Sequence, residues 1–270
     1  MYICYSVLYN NIIITNQYFL TEVQEMNTTI LNSKKIKNTE ISTEGGVCKK
    51  YFATYNKSKV MLKGTYKKDI EAFNELFAYK FLTRLGFKVN KVKVVETKGL
   101  KILLKNSESE KCNYASVHIW NENFSTISST KIDTSKANEK YKSMVFAMRV
   151  FDNVIGNYDR HGDNYGIDEK TGYLFLIDNG LSSPYNNYLM SHLGNLIKNN
   201  QDEFIAKTSP LKRIIKRFFK LTREDFEKIV KDFPETLVAD NKTYKLAIVD
   251  SMLKKQEALK EVLKGNSIKL

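Results

Sequence analysis

The octapeptide NYDRHGDN, Asn157 to Asn164, places two aspartates, an arginine, a histidine and two asparagines directly after Gly156. The stretch YGIDEKTGYLFLIDNG follows, with two short strand-like runs around a turn at Glu169 to Gly172, and the second run ends at Asp178. A hairpin this short returns the chain on itself, so the spacing predicts Asp178 close to Asn164 and Asp159. Carboxylate and amide oxygens without a thiolate are hard ligands, suited to Mg²⁺ shared with phosphate. Phosphoryl transfer asks for such a set: a carboxylate for the attacking hydroxyl, metal ligands, a cation on the phosphates and a backbone cradle over them.

Other chemistries fit less well. Asn157, Asp159, His161, Gly162 and Asp168 fall at positions 1, 3, 5, 6 and 12 of a calcium loop. The first position then lacks its carboxylate, His is a poor calcium ligand, and a strand follows where a helix should. Zinc through His161 would need His118 or His192, both distant in sequence, and no Cys is near. A turn merely capped by Asp159 and Asn164 leaves Asp178 without a role.

The elements that must position these residues change character near residue 110. Upstream, KKYFATYNKSKVMLKG reads as a hairpin around Asn56, Lys57 and Ser58, and KVNKVKVVETKGLKILLK as a second around Lys98 and Gly99. Between them Ile70, Phe73, Phe77, Phe81 and Leu85 recur at helical spacing, with Asp69 as a cap and Gly86 as a stop. Downstream, Tyr141, Met144, Met148, Phe151 and Ile155 mark one helix face ended by Gly156. Ser209 with Pro210 reads as a helix start and Thr222 with Asp225 as a capping box, so the last ~60 residues are expected to be helical. LKRIIKRFFK sets an apolar face against five basic residues, as an amphipathic surface helix does. A strand-rich lobe before a helical one leaves a cleft, where nucleotides bind.

The order aspartate, four residues, asparagine, hairpin, aspartate-x-glycine is that of the kinase catalytic loop and metal-binding aspartate. FDNVIGNYDRHGDNYGI followed by LIDNG resembles the catalytic core of the HipA-like serine/threonine kinases, and its DRHxxN core is similar to that of the phosphatidylinositol 3- and 4-kinases. The resemblance covers about residues 40 to 180. It implies an α+β, bilobed, protein-kinase-like fold using ATP and Mg²⁺, with a protein substrate and an antitoxin partner. Asp159 would be the catalytic carboxylate, Asn164 and Asp178 the Mg²⁺ ligands, and His161 a phosphate or loop-ordering contact. Arg160 would either pair with an acid behind the loop or touch substrate. Lys63, ending an apolar strand, would hold phosphate, with Glu75 as its carboxylate partner or Glu71 one turn earlier. Gly45 and Gly46 in STEGGVCKK would cradle phosphates or form a plain turn, with Ser42 or Thr43 as an autophosphorylation site. Two departures stand out: this loop lacks GxGxxG, and aspartate-asparagine-glycine at Asp178 lacks the phenylalanine of many kinases.

The expected organisation is an extension over 1–25, a nucleotide-binding N-lobe over 26–110 and a helical C-lobe over 111–270. Residues 1–25 would pack as an extra element, or precede a true start at Met26. The apolar amino terminus is interrupted by Asn10, Asn11, Asn16 and Gln17, too soon for a membrane span or a signal peptide. Three scattered cysteines, Cys4, Cys48 and Cys112, form no CxxC and fit a reducing cytoplasm. The net charge of +13 comes from lysines spread along the chain. That describes a solvated surface more than a nucleic-acid stripe. Two alternatives to a protein kinase remain: a lipid or small-molecule kinase, and a non-catalytic toxin or repressor component contacting nucleic acid.

Overall fold

The computed structural model describes residues 30–31, 33–41, 50–65, 69–98, 100, 113–128, 139–186, 190–205, 209–239 and 242–270. The loop bearing Ser42, Thr43, Gly45 and Gly46, the extension over 1–25 and all three cysteines lie outside the described residues.

Alternation in YFATY and VML sets the first hairpin. Strands β3 (Lys50–Tyr55) and β4 (Ser58–Lys63) pair antiparallel from Lys50↔Lys63 to Tyr55↔Ser58. Asn56 and Lys57 between them have φ of 47° and 65°, the doubly left-handed turn whose twist matches that of the strands. Tyr51, Ala53, Tyr55, Val60 and Leu62 point into one small core. The six-stranded sheet runs β1 (Ile30–Leu31), β6 (Val92–Glu96), β7 (Tyr114–Ile119), β4, β3, β2 (Ile36–Ile41).

The second expected hairpin takes another form. Its first half splits into β5 (Lys88–Val89), which joins a different sheet, and β6. Asn90 and Lys91 cross between the sheets, tied to both: Asn90 N–H donates to Leu176 O and Ile119 N–H to Lys91 O, each at 2.9 Å. The return arm beyond Leu100 lies outside the described residues, and the antiparallel neighbour of β6 is β7. Because β7 is bonded to both β4 and β6, the six-stranded sheet continues as far as Ile119.

Helix α1 (Ile70–Leu85) ends as expected at Gly86, with φ of 102° and its N–H on Leu82 O. Asp69 does not cap it. The carboxylate instead accepts from Asn113 N–H at 2.8 Å, Asn113 Nδ2 at 2.8 Å and Tyr114 N–H at 3.3 Å, anchoring the start of β7. Nor is the apolar face of α1 a single stripe, since Ala72, Leu76, Ala78 and Leu82 are buried as well. The helix lies between the sheet and the helical lobe, with Phe73 5.1 Å from Phe233 and Phe81 5.7 Å from Phe218, ring centre to ring centre. Lys80 Nζ reaches Ile229 O at 3.2 Å, and Arg217 Nη1 donates to Leu85 O at 2.9 Å.

A second sheet orders β5, β10 (Tyr173–Leu176), β9 (Tyr165–Asp168) and β8 (Phe124–Thr126). Its β9–β10 hairpin is the one expected, turning at Gly172 with φ of 65°. The helical lobe holds α2 (Glu139–Ile155), α3 (Met190–Lys198), α4 (Asp202–Ile205), α5 (Pro210–Lys220), α6 (Arg223–Val230) and α7 (Tyr244–Gly265). The Thr222–Asp225 capping box is closed. Ser209 sits at the start of α5, but its side chain makes no capping bond. A small hairpin, β11 (Val238–Ala239) with β12 (Lys242–Thr243), interrupts the expected run of helices. No described helix is long and apolar enough to cross a membrane.

Candidate active site

The two sheets face each other across a cavity of about 300 Å³. One wall comes from β3, β4 and β7 through Lys50, Phe52, Met61, Lys63 and His118. The other comes from β8 and the end of β10 through Phe124, Phe175, Ile177 and Asp178. Flat apolar surface with a few convergent polar groups is the make-up of a small-molecule site.

Lys63 ends β4 and projects to the floor of the cavity, where it joins two carboxylates. Its Nζ is 3.1 Å from Glu75 Oε1 and also hydrogen-bonded to Asp178 Oδ1. The choice left open between Glu71 and Glu75 therefore falls to Glu75, which is 1% exposed. Glu75 does more than pair, because its Oε2 accepts the Asn179 N–H at 2.8 Å and so holds the segment after Asp178. Asn74, its neighbour, donates to Gly180 O at 2.9 Å and accepts from the Tyr244 hydroxyl of α7. A Cβ at Gly180 would crowd the cluster, standing 3.2 Å from Glu75 Oε1 and 3.4 Å from Lys63 Nζ. Asp178 itself has φ of 51°, a left-handed conformation held by these contacts. Burial alone would raise its carboxyl, but the charge and hydrogen bond of Lys63, with a smaller pull from Lys50, bring it down to about 2.

The catalytic-loop candidates are brought together as the hairpin required. Asn164 Nδ2 donates to Asp159 O at 2.7 Å, and Ile177 N–H donates to Asn164 O at 3.1 Å, so the residue before Asp178 is bonded to Asn164. The Asn164 Oδ1 and the Asp159 carboxylate accept no hydrogen bond from the described residues, which leaves them available to a ligand. Gly156, ending α2, is required by the turn into this loop: its φ is 67°, and a Cβ would come within 2.7 Å of Ser183 O.

Arg160 has the structural role of its two alternatives. Its Nε is 3.2 and 3.1 Å from the two oxygens of Asp152, and Nη2 is 3.0 Å from Oδ1. Nη1 donates to Asn164 O at 2.6 Å and Ile177 O at 2.8 Å, and Nη2 to Asn179 Oδ1 at 2.5 Å. Burial pushes the Asp152 carboxyl up, against the pull of the Arg160 guanidinium. His161 orders its own loop, with Nδ1 accepting from Asp163 N–H at 3.3 Å. Its ring is half-exposed and lines a second cavity, beside Arg149 and His192. The cavity between the sheets does not include it.

Several site residues escaped the sequence reading. Asp152 is a lone acid within the apolar run MVFAMRVFDNVIG, a signal that could have found it. Asn74 carried none, since it is placed by Gly180 and Tyr244, 106 and 170 residues along the chain.

A metal fits this donor set. Asn164 Oδ1 and the Asp178 carboxylate are oxygen donors on one short hairpin, and Mg²⁺ needs only one or two such ligands beside phosphate oxygens.

No family profile matches the chain, and no curated protein does. Among solved structures it is similar to the crystal structure of a Helicobacter pylori proinflammatory kinase, CtkA, with a TM-score of 0.55 at 15% identity. The match covers 87% of this chain and 98% of that one. At so low an identity the likeness speaks for the fold, which is bilobed and kinase-like.

Proposed function

We propose that the chain is an ATP- and Mg²⁺-dependent phosphotransferase, a HipA-like kinase acting on a serine or threonine hydroxyl of a protein. One observation carries the reading: Lys63, Glu75 and Asp178, drawn from a strand, a helix and a hairpin end, meet on the floor of a nucleotide-sized cavity.

Each residue has a task in this reading. Lys63 holds phosphate oxygens, and an entering phosphate takes over the side of Nζ now shared with Asp178. Glu75 keeps the lysine aimed and, through Asn179, keeps Asp178 in place. Asn164 and Asp178 would hold Mg²⁺, which when bound would offset the charge of the phosphates. Asp159 accepts the acceptor hydroxyl's proton as the new oxygen–phosphorus bond forms and the bond from the γ-phosphorus to the bridging oxygen breaks, releasing ADP. Arg160 touches no reacting atom; it fixes the loop against α2.

The test is transfer of radiolabel from γ-labelled ATP with Mg²⁺, by the protein alone and in a host lysate, beside Asp159→Ala and Asp178→Ala. Label in a protein band that both substitutions abolish supports a protein kinase. Label in a lipid extract would move the acceptor to lipid. Absence of ATP binding would defeat the catalytic reading and leave the basic surface as the main clue.

A further inference from the structure

The proposed function leaves unused a buried polar row on the cavity wall. His118, on β7, is 2% exposed and Asn90, at the crossing between the sheets, is 7% exposed; both line the cavity. Ser116 Oγ is 3.4 Å from Lys63 O and 2.9 Å from His118 Nε2. His118 Nδ1 is in turn 3.4 Å from Asn90 Nδ2.

The order of donors along this row follows from one end. Lys63 O can only accept, so the Ser116 hydroxyl donates to it and Ser116 Oγ receives the Nε2–H of His118. A neutral imidazole has one donor and one acceptor, so Nδ1 then accepts from Asn90 Nδ2. Burial, the largest influence on His118, pushes its pKa below the ordinary value and keeps the ring neutral. Asn90 is left with Oδ1, which has no partner among the described residues and belongs to a side chain lining the cavity. An acceptor on the cavity wall whose amide is held by a neighbour is oriented for a ligand donor that replaces water there.

We infer that Asn90, oriented through His118 and Ser116, selects the nucleobase by accepting a hydrogen bond from an exocyclic amino group, favouring adenine over guanine. The inference rests on the nucleotide-binding reading of this cavity. The register of β4 and β7 sets Ser116 opposite Lys63 and His118 opposite Met61, so His118, with Asn90 beside it, lies one step from the Lys63 end in the direction of Trp120 and Asn121. The 6-amino group of adenine has two N–H bonds, so one can meet Asn90 while the other finds a backbone carbonyl. The 6-oxo group of guanine would set acceptor against acceptor, a mismatch that costs far more than a missing contact in an apolar pocket. Were the row reversed, Asn90 would present Nδ2 and favour the 6-oxo base.

Equilibrium binding of ATP, GTP and purine riboside triphosphate, which has hydrogen at C6, to the full chain with Mg²⁺ tests this. The wild type should bind ATP at least about tenfold more tightly than GTP or the 6-hydrogen analogue. Asn90→Leu should weaken ATP and leave the analogue unchanged, shrinking that ratio several-fold. Ser116→Ala, a gentler change that frees the row, should shrink it in part. GTP bound as tightly as ATP, or an unchanged ratio in folded Asn90→Leu, overturns the inference while the kinase reading stands. Failure of every nucleotide to bind the wild type removes the kinase reading and this inference with it.

Discussion

Asp178 and Asn179 are neighbours in sequence, yet they belong to two different kinds of buried cluster. Asp178 joins Lys63 and Glu75, one cation against two carboxylates, at the edge of a cavity. Asn179 joins Arg160 and Asp152, one cation against one carboxylate, behind the loop. In the second cluster the guanidinium spends its donors on Asp152, two carbonyls and Asn179, so nothing is left over for a ligand. The first has surplus negative charge and an oxygen free to change partner. A saturated cluster holds a structure, whereas an unbalanced one beside a cavity is where a charged ligand or metal can enter.

The largest contrast should appear in activity. Asp178→Ala should cut phosphate transfer by about 10³-fold or more, comparable to losing a preorganised charge in a water-excluded site. It should lower the melting temperature less than the loss of Arg160 does, because only the ion pair of Asp178 is lost and Lys63 and Glu75 remain a balanced pair. Arg160→Met should do the opposite, leaving Asp152 buried without its cation at a cost of about 3–5 kcal/mol and lowering the melting temperature by roughly 10 °C. Equal destabilisation by the two substitutions would erase the distinction between the clusters.

A third buried charge sharpens the comparison. Lys255 of α7 is 1% exposed and donates to Pro184 O at 2.8 Å, and burial pulls its ammonium down to about 7. Folded protein then gives up this proton well before unfolded chain does. The destabilisation is complete below pH ~7 and relieved as pH rises toward ~10, the ordinary lysine value. Wild-type stability should climb across that window relative to Lys255→Met, followed by urea unfolding at several pH values. Parallel curves would mean that Lys255 is already matched by a charge.

The smallest effect belongs to the acid limb. Asp178 is held at about 2, so its contribution is present above pH ~4 and lost as pH falls toward ~2. Asp178→Asn should flatten this part of the stability profile. Arg160→Lys should leave it in place.

Much of the site was readable because it is local. The interval from Asp159 to Asp178 is one loop and one hairpin, and a short hairpin has few ways to close, so Ile177, the residue before Asp178, was bound to return to Asn164. Gly86, Gly156 and the Thr222–Asp225 box were equally legible, since a helix end is decided by its own few residues. Asp69 shows the limit of local reasoning. It has the residue type and position of a cap, but Asn113 and Tyr114, 44 and 45 residues away, claimed its carboxylate. The pairing of β7 with β4 was hidden for a related reason: it joins strands well separated in the chain.

The sequence by itself marked the residues whose chemistry suits phosphate and determined that the hairpin would return Ile177 to Asn164. Only the tertiary structure decided that Glu75 rather than Glu71 faces Lys63, that Arg160 answers to Asp152, and that α1 is buried on nearly every side. Residues three or four apart share a helix face, so spacing alone could not choose between the two glutamates. The choice came from where α1 is fastened between the sheet and α5, α6 and α7, through contacts such as Asn74 to Tyr244 that span 170 residues.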